Sequence, residues 1–231
     1  MAYPPRYVVD RPACEPGCSK CVEACKYGAI DLDMKVEEIE VQVASIVIAT
    51  GWKPYDAVKL NNMGFSSVPN VINNIMMERI SSVSGPTKGK ILRPSDQKPV
   101  ESIAFVQCAG SRDENHLPYC SSICCLGSLK HASYVLEQNP DAKIYIFYID
   151  IRTPGKYEDF VAKVQAKPNV NMIKGKVAKI IASEDGGVLV EAENILSLEK
   201  VRLDVDMVCL LYTSDAADEG LGVDLGGRRI I

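Results

Sequence analysis

The sequence predicts an α/β fold, and the strongest indication lies between residues 102 and 149. Residues 102–107 and 143–149 are short, mostly apolar runs that predict buried parallel strands. Between them, residues 127–138 carry apolar side chains at helical spacing, and Asn139 followed by proline predicts the end of that helix. A strand, a helix and a strand in this order are typical of a Rossmann-like βαβ unit.

The segments on either side of this unit predict further elements. Residues 36–43 place valine and isoleucine among acidic residues, which favours a half-exposed strand, whereas residues 45–50 favour a buried parallel strand. Residues 82–100 are rich in turn-forming residues and are interpreted as a linker. Residues 157–165 predict a helix. From residue 170 onward, short apolar runs separated by turns predict a β-meander.

A short helix is also predicted over residues 74–81. Its apolar residues Ile75, Met76 and Ile80 are expected to face the core. A chain of 231 residues, of which 47% are apolar, is long enough to bury a sizeable core around these elements.

Eight of the nine cysteines lie in two tight groups. Within each group, four thiols are spaced so that their sulfur atoms can converge on one point, which suits a soft metal ion or an iron–sulfur cluster. The sequence therefore predicts a protein that transfers electrons. The first group has the spacing C-x3-C-x2-C-x3-C and the second C-x11-C-x3-C-C; they consist of Cys14, Cys18, Cys21 and Cys25, and of Cys108, Cys120, Cys124 and Cys125.

Structural disulfides are a weaker interpretation of these cysteines. The first residues of the chain lack the apolar run of a secretion signal, so we expect a cytoplasmic protein whose thiols stay reduced. Cys124 and Cys125 are adjacent and therefore poor partners for each other. Cys209 lies alone in an apolar run and is interpreted as a buried small hydrophobic residue.

Charge and hydropathy argue against other classes of function. The net charge of −4, with no basic cluster, disfavours nucleic acid as a partner. No apolar run approaches the ~20 residues of a membrane-spanning helix, so no transmembrane segment is expected. No Ser/His/Asp set or carboxylate pair supports a hydrolase. The two histidines are expected in a solvated loop (His116) and at the surface or boundary of a helix (His131).

The first cysteine group differs from the bacterial ferredoxin run in its first gap and in Lys26, which follows the fourth cysteine in place of proline. In two-cluster ferredoxins, the fourth cysteine of such a run ligates the other cluster. Cys25 therefore either completes its own cluster or contributes to a second one whose other ligands are absent from this chain. Zinc is the alternative, because four cysteine thiolates also suit tetrahedral Zn²⁺.

The second group lies where a Rossmann-like unit carries its glycine-rich phosphate loop. Only one glycine, Gly110, stands between Cys108 and Cys120, so a nucleotide pyrophosphate would be poorly held there. An anionic cluster could use the same helix N-terminus, and Arg112 would offset part of the thiolate charge. We expect the polar loop between these cysteines to depend on metal ligation for its order.

Four segments resemble the A-type subunit of heterodisulfide reductase, together with its relatives. The longest reads QCAGSRDENHLPYCSSICCLGSLKHA, at residues 107–132. Shorter matches read ASIVIATGWKPYDA at 44–57, IYIFYIDIRTPGKYEDF at 144–160 and GCSKCVEACKYGAIDLDMK at 17–35. Together they look most like the flavin subunit of the quinone-interacting membrane-bound oxidoreductase complex of sulfate reducers. The resemblance extends over residues 6–208.

This resemblance implies an FAD protein with a two-dinucleotide-binding-domain fold like that of thioredoxin reductase. In the family, the cysteines that match the second group hold a four-iron cluster. The backbone near Thr50 and Gly51 would approach the flavin. The G-x-G-x-x-G unit that binds the FAD pyrophosphate in family members is absent from this sequence, as is a second ferredoxin run.

The predicted organisation has four parts. Residues 1–35 form a ferredoxin-like iron–sulfur module, 36–95 the remnant of an FAD-binding domain with a linker, and 96–208 a second Rossmann-like domain with the cluster-binding loop and the meander. Residues 209–231 depart from the family pattern and resemble translated adapter sequence, so they are interpreted as a non-native tail. The alternative is a natural variable tail.

The predicted function is that of an electron-transfer iron–sulfur flavoprotein subunit of the heterodisulfide reductase A type, inactive as this chain alone. It would pass electrons between FAD, 4Fe–4S clusters and a partner subunit, in the cytoplasm, either free or peripheral to the inner membrane through its partners. The alternative is a zinc-stabilised, cysteine-rich interaction module without a redox role. A thiol–disulfide oxidoreductase is disfavoured, because no C-x-x-C motif stands alone.

Overall fold

The computed structural model describes residues 9–34, 40–45, 54–120 and 122–212. The chain forms two compact units, Met1–Ala49 and Thr50–Ile231. Thr50 and Gly51, most of the strand predicted over 45–50, and residues 213–231 of the predicted tail lie outside the described residues.

The described part of the first unit contains little regular structure. A 3-10 turn at Arg11–Ala13 precedes a short helix, α1 (Lys20–Ala24), and none of the described residues of this unit is buried. Residues 40–45, which overlap the strand predicted over 36–43, contain no strand. Tertiary packing therefore contributes little to the order of this segment, and its cysteines are the groups available to cross-link it.

A parallel sheet forms the centre of the second unit, and its helices lie against it. The strands are β1 (Val71–Asn73), β2 (Ser102–Val106), β3 (Lys143–Tyr148), β4 (Val170–Lys174), β5 (Val177–Ala182), β6 (Val188–Asn194), β7 (Glu199–Val205) and β8 (Met207–Leu210), and the helices are α2 (Asn74–Ser81), α3 (Cys124–Gln138) and α4 (Glu158–Gln165). The five strands of the sheet lie in the order β1–β8–β2–β3–β4, and each neighbouring pair is parallel. The predicted α/β class is confirmed.

The strand order reverses in the middle of this sheet. The elements β2, α3, β3, α4 and β4 follow one another to one side, which confirms the βαβ unit predicted between residues 102 and 149. The chain then returns to the other side of β2, where β8 pairs with both β2 and β1. In open parallel sheets, ligands bind beyond the carboxyl ends of the strands at such a switch point. The loops after β2 and β8 meet there, because the Ala109 N–H donates to Leu211 O at 3.0 Å.

The meander is shorter than predicted. Strands β5, β6 and β7 form a separate antiparallel sheet. The strand that begins at Val170 instead extends the parallel sheet, where Val170 pairs with Ile144 of β3. A short strand after a helix can join either sheet, and here pairing with the open edge of β3 decides between them.

Both faces of the parallel sheet are covered. Side chains alternate along β2 and β8, so Ile103, Phe105 and Cys209 pack with the helices on one face, while Ala104 and Val208 pack toward the meander on the other. All five side chains are completely buried. Burial on both faces is the reason why these strands are continuously apolar in the sequence.

Helix α2 covers the predicted residues, but a different residue is its main core contact. Met77 is completely buried, whereas Ile75 and Met76 are 39% and 40% exposed. The side chain of Asn73 accepts the Met76 N–H at 2.8 Å and caps the helix. The helix begins and ends at the predicted residues, so the difference lies in which face of α2 meets the sheet. Ile80 packs against the core as predicted.

The unit boundaries also differ from the predicted domain boundaries. Strand β1 pairs with β8, and Ile91 and Val100 lie in the core, so the second unit already includes residues 54–95. At the other end, residues 209–212 are at most 1% exposed, which places them with the sheet rather than with a tail. The boundaries shift because the sheet is assembled from strands that are distant in the sequence.

Candidate metal centre

The second cysteine group lies at the carboxyl end of the parallel sheet. Cys108 follows β2 by two residues and Cys124 and Cys125 begin α3; these three are 5%, 8% and 3% exposed. Cys120, which is partly exposed, lies on the loop that joins them. The four groups are close enough for the negative charge of one thiolate to act on its neighbours. The fold thus brings this predicted ligand set to the switch point of the sheet.

Three residues other than glycine in this region have left-handed backbone conformations. Cys108, Arg112 and Ser122 have φ of 56°, 58° and 58°. This conformation costs a non-glycine residue about 1–2 kcal/mol. In a dinucleotide-binding unit, glycine makes the tight turn after the first strand. Strained residues persist where their surroundings determine the conformation, and they cluster at functional sites.

The loop between Cys108 and Cys120 has hydrogen bonds of its own, contrary to the expectation that ligation supplies its order. The Leu117 N–H donates to Gly110 O at 2.9 Å, and the Asp113 N–H donates to Leu117 O at 3.0 Å. Leu117 is also 4% exposed. Leu117, together with the buried Ala109 and Ser111, therefore anchors a loop whose other residues are mostly polar.

Two cysteines of the group accept hydrogen bonds from the backbone. The Ser122 N–H donates to Cys120 Sγ at 3.4 Å, and the Arg152 N–H donates to Cys125 Sγ at 3.3 Å. A donor aimed at sulfur stabilises the thiolate form. In iron–sulfur proteins, such hydrogen bonds are among the factors that set the cluster potential.

Cys125 is also connected to β2 through buried polar side chains. Its Sγ lies 3.4 Å from Gln107 Oε1, and Gln107 Nε2 donates to Ser128 Oγ at 2.6 Å. Ser128 Oγ in turn donates to Cys125 O at 2.9 Å. This closed network holds the first turn of α3 against the end of β2.

Burial and neighbouring cysteines raise the pKa of two thiols. The pKa of Cys108 is raised to about 11, by burial and then by Cys120 and Cys125. The pKa of Cys124 is raised to about 12, by burial and then by the other three cysteines. Without a cation, these thiols keep their protons at neutral pH. Coordination to iron or zinc supplies the positive charge that displaces them.

Two arginines and one aspartate border the group. Arg112 forms an ion pair with Asp150, and Arg152 Nη2 lies 3.5 Å from the other oxygen of the Asp150 carboxylate. Burial also raises the pKa of Cys125, and the backbone N–H and then the charge of Arg152 oppose that rise. The charge of Arg112 opposes the rise in the pKa of Cys108, whereas the charge of Asp150 adds to the rise in both. Asp150 and Arg152 lie within the family match at 144–160, but no ligand spacing singled them out. Their place directly after β3, beside β2, is the signal that could have found them.

The first cysteine group is more exposed than the second, since all four of its thiols are partly accessible. Cys25 Sγ accepts the Ala29 N–H at 3.4 Å, and the backbone N–H groups of Ala29 and Tyr27 lower the pKa of Cys25. Gly28, at φ 60°, lies within this turn. The turn suits a thiolate at Cys25 and is compatible with either arrangement of its cluster.

Among the described residues, no three or more His, Cys, Asp or Glu side chains have the mutual arrangement of a metal site. In the second group, for example, the Cys125 thiol is turned to a backbone oxygen, since it donates to Asp150 O at 3.6 Å. The donor set nevertheless fits a soft metal or an iron–sulfur cluster. It offers only thiols as ligands, two sulfurs that accept backbone N–H groups, and the N-terminus of a 15-residue helix.

Both histidines lie in more enclosed places than expected. His116 Nδ1 lies 2.9 Å from the hydroxyl of Tyr55. His131 is 1% exposed, and its Nε2 lies 2.7 Å from Glu78 Oε1. The signal for His131 is its position on α3, four residues before the buried Val135. Cys209 is completely buried, as predicted.

The chain is similar to the A-type subunits of several heterodisulfide reductases. It is 40% identical over 210 residues to that of the ferredoxin/F420H2-dependent CoB-CoM heterodisulfide reductase of Methanosarcina acetivorans. It is 38% identical over 195 residues to that of the H2:CoB-CoM heterodisulfide,ferredoxin reductase of Methanothermobacter marburgensis. It is 38% identical over 213 residues to the A-type iron–sulfur subunit of the CoB–CoM heterodisulfide reductase of Methanocaldococcus jannaschii.

These alignments cover 89%, 84% and 91% of this chain but only 26%, 30% and 32% of the relatives. The chain thus spans about a quarter to a third of their length. Among solved structures, thioredoxin reductase from Giardia duodenalis is 11% identical with a TM-score of 0.41 (71% of this chain, 41% of that one). L-lysine 6-monooxygenase from Pseudomonas syringae is 12% identical with a TM-score of 0.43 (78% and 50%).

No model of a known protein family matches the chain. Within the described part, no helix has both the length and the apolar character needed to cross a membrane. The resemblance carried by residues 107–132 is confirmed by the relatives with 38–40% identity over most of this chain. On this similarity, the chain belongs to the family of the A-type subunits of heterodisulfide reductase.

Proposed function

We propose that this chain is part of an electron-transfer iron–sulfur flavoprotein subunit. The observation that carries the proposal is the set of four thiols at the switch point of the parallel sheet, two of which accept backbone N–H groups. A 4Fe–4S cluster on this set would occupy the place that a dinucleotide pyrophosphate takes in related folds. Its ligands would be Cys108, Cys120, Cys124 and Cys125, and those of a second cluster Cys14, Cys18, Cys21 and Cys25.

A four-iron cluster, when bound, accepts and releases one electron at a time. The chain supplies the environment that this chemistry needs. The N–H groups of Ser122 and Arg152 are placed to donate to ligand sulfurs. The N-terminus of α3 offsets negative charge, and the burial of Cys108 and Cys124 limits contact with water.

We base the proposals about FAD, partner subunits and cellular location on the similarity to the family. Thr50 and Gly51 would approach the flavin of a longer protein. The relatives are named as subunits of CoB–CoM heterodisulfide reductases, so we propose an oxidoreductase role and other subunits as electron-transfer partners for this chain as well. A place in the quinone-interacting complex of sulfate reducers, in the cytoplasm and peripheral to the inner membrane through partner subunits, is the narrower form of the proposal.

Anaerobic reconstitution of the full chain with iron and sulfide tests the ligand set. We expect Cys124→Ser to lose iron and to lose the EPR signal of one reduced cluster, since this change removes a ligand. Cys209→Ala is the matched control, because Cys209 is a buried thiol in β8 and alanine introduces no buried hydroxyl. If Cys124→Ser retains the iron content and EPR signal of the wild type, the proposed ligand set is wrong.

The same preparations separate the proposal from a zinc-stabilised interaction module. A bound iron–sulfur cluster gives a brown protein that a reductant bleaches, whereas Zn²⁺ has no redox chemistry and gives no colour. A wild-type chain that takes up zinc, refuses iron and stays colourless would favour the module and contradict an electron-transfer role.

A further inference from the structure

One side of the second cysteine group carries a compact set of charges. Asp150, just after β3, pairs with Arg112 and lies 3.5 Å from Arg152 Nη2. The same short segment also touches a ligand sulfur through its backbone. The Arg152 N–H donates to Cys125 Sγ at 3.3 Å, and the Cys125 thiol donates to Asp150 O at 3.6 Å. Asp150 and Arg152 are thus carried by a segment in direct contact with one proposed cluster ligand, Cys125.

Arg112 reaches this set from a different element, the loop between Cys108 and Cys120. Its backbone is left-handed, at φ 58°, and its N–H donates to Tyr119 O at 3.2 Å. Its side chain is 27% exposed, so water only partly screens its charge. A surface arginine has no need of a conformation that costs about 1–2 kcal/mol. Here that conformation accompanies the ion pair with Asp150.

We propose that Asp150 is a positioning residue that holds Arg112 and Arg152 beside the cluster, and that this triad raises the reduction potential of the cluster. The inference rests on the proposed function, since it requires a cluster on the second cysteine group. Reduction adds one electron, and therefore one negative charge, to the cluster and its four thiolates. Two guanidinium groups against one carboxylate leave one net positive charge, which stabilises the reduced state more than the oxidised state.

Redox titration of the reconstituted full chain tests the charge effect. The chain is reduced stepwise with dithionite and followed by EPR, and the signal that is lost in Cys124→Ser identifies the relevant cluster. We expect Arg112→Gln to lower its midpoint potential by an amount equal to a tenfold change in the ratio of reduced to oxidised cluster, or ~59 mV for one electron. Arg112→Lys keeps the charge and should restore most of the potential.

The matched control is Arg202→Gln. Arg202 is an exposed arginine on β7, in the antiparallel sheet, and its Nε lies 3.7 Å from Glu191 Oε1. This variant should keep the wild-type midpoint. Arg152→Gln removes the second guanidinium but retains the backbone N–H to Cys125. It should lower the midpoint as well, and it provides the test if Arg112→Gln does not fold.

A double-mutant cycle tests the positioning role of Asp150. If Asp150 holds Arg112 in place, Arg112→Gln will shift the midpoint less in an Asp150→Asn background than in the wild type. Equal shifts in the two backgrounds overturn the role of Asp150. An unchanged midpoint in both Arg112→Gln and Arg152→Gln, with the cluster present, overturns the charge effect but not the proposed function. Failure of the wild type to bind iron at this group overturns both.

Discussion

Single residues at the switch point combine a costly backbone conformation with useful chemistry. Cys108, two residues after the end of β2, has φ 56°, and Gly110 has φ 80°. Glycine adopts such angles freely, whereas cysteine does so at a cost of about 1–2 kcal/mol. A cysteine in this conformation is therefore explained better by its thiol than by its backbone, which agrees with the proposed ligand role.

Gly110→Ala should destabilise the chain by about 1–2 kcal/mol. The backbone is left-handed, and the new Cβ would lie 2.9 Å from Leu60 Cδ2. Gly127→Ala is the matched control on α3, since its Cβ would meet only Leu211 Cδ2, at an ordinary 3.7 Å. Alanine is preferred to glycine inside helices by up to about 1 kcal/mol. In urea unfolding, Gly110→Ala should therefore be less stable than the wild type and Gly127→Ala more stable. A change in stability in the same direction for both variants would contradict this account.

His131 should make the chain less stable in mild acid. Burial lowers the pKa of His131, against the opposing effect of its hydrogen bond with Glu78. The unfolded chain then binds this proton more readily than the folded chain, so the free energy of unfolding falls as the pH drops below about 6.5. His131→Gln removes this titration and keeps a donor for Glu78. Urea unfolding from about pH 7 to 5 should show that the free energy of unfolding depends less on pH in the variant than in the wild type. An equal pH dependence in the two proteins would show that His131 is not the titrating group.

At the scale of elements, hydrogen bonds in the turns and loops at the strand ends join β8 to β2. Asp206, in the turn before β8, accepts the N–H groups of Glu101 at 2.9 Å and Ser102 at 2.8 Å. It also accepts Arg93 Nη1 at 3.0 Å. The loops at the opposite ends of these strands are hydrogen-bonded to each other as well. The register of β8, and with it the position of the switch point, is thus determined at both ends.

Asp206→Ala should cost about 2–3 kcal/mol, because several partly buried donors lose their acceptor at once. Asp185→Ala is the control, since Asp185 is exposed in the turn between β5 and β6, and it should change stability by less than about 0.5 kcal/mol. Thermal and urea unfolding of both variants provide the comparison. If the two variants are equally stable, Asp206 does not join the strands as argued.

At the scale of the whole molecule, the second unit closes with a strand that arrives late in the chain. Strand β8 lies between β1 and β2, although at least 100 residues separate it from either. Leu211 and Tyr212, directly after it, are each 1% exposed. The cysteine group is built on the earlier βαβ unit, and the loop that carries it is hydrogen-bonded to the residue after β8, since the Ala109 N–H donates to Leu211 O. The site therefore depends on a sheet that is complete only when the last described residues are in place.

Two deletions should separate core from tail. Removal of 209–231 takes away four residues that are at most 1% exposed, and it should cost at least about 4 kcal/mol or prevent folding. Removal of 213–231 should leave stability nearly unchanged if, as proposed, those residues are not native to the protein. Denaturant unfolding of both shortened chains gives the answer. A loss above about 2 kcal/mol for the second deletion would identify the tail as native structure.

The chain alone should not retain FAD. Family members bind the FAD pyrophosphate with a G-x-G-x-x-G unit, and this sequence does not contain one. Visible absorbance of the purified chain, before and after incubation with FAD and gel filtration, measures retention. Flavin in a one-to-one ratio to protein would contradict this prediction and would require a different binding site.

Much of this protein could be predicted because it depends on local pattern. Apolar runs and helical spacing determine β2, α3 and β3, and thiol chemistry and spacing are enough to identify both cysteine groups. Helix α2 shows the limit of this approach: its range is as predicted, but Met77 is the buried residue, while Ile75 and Met76 are 39% and 40% exposed. Periodicity describes an element but not its rotation about its own axis.

The sequence by itself determined the α/β class, the ligand candidates and, through residues 107–132, the family. Only the tertiary structure decided that β8 lies between β1 and β2, that residues 209–212 belong to the core, and that Asp150 and Arg152 stand beside Cys125. The physical reason is the range of the interactions. Helix and strand periodicity and metal-ligand spacing act between residues close in the chain. Strand pairing, burial and ion pairing join residues that only the completed sheet brings together.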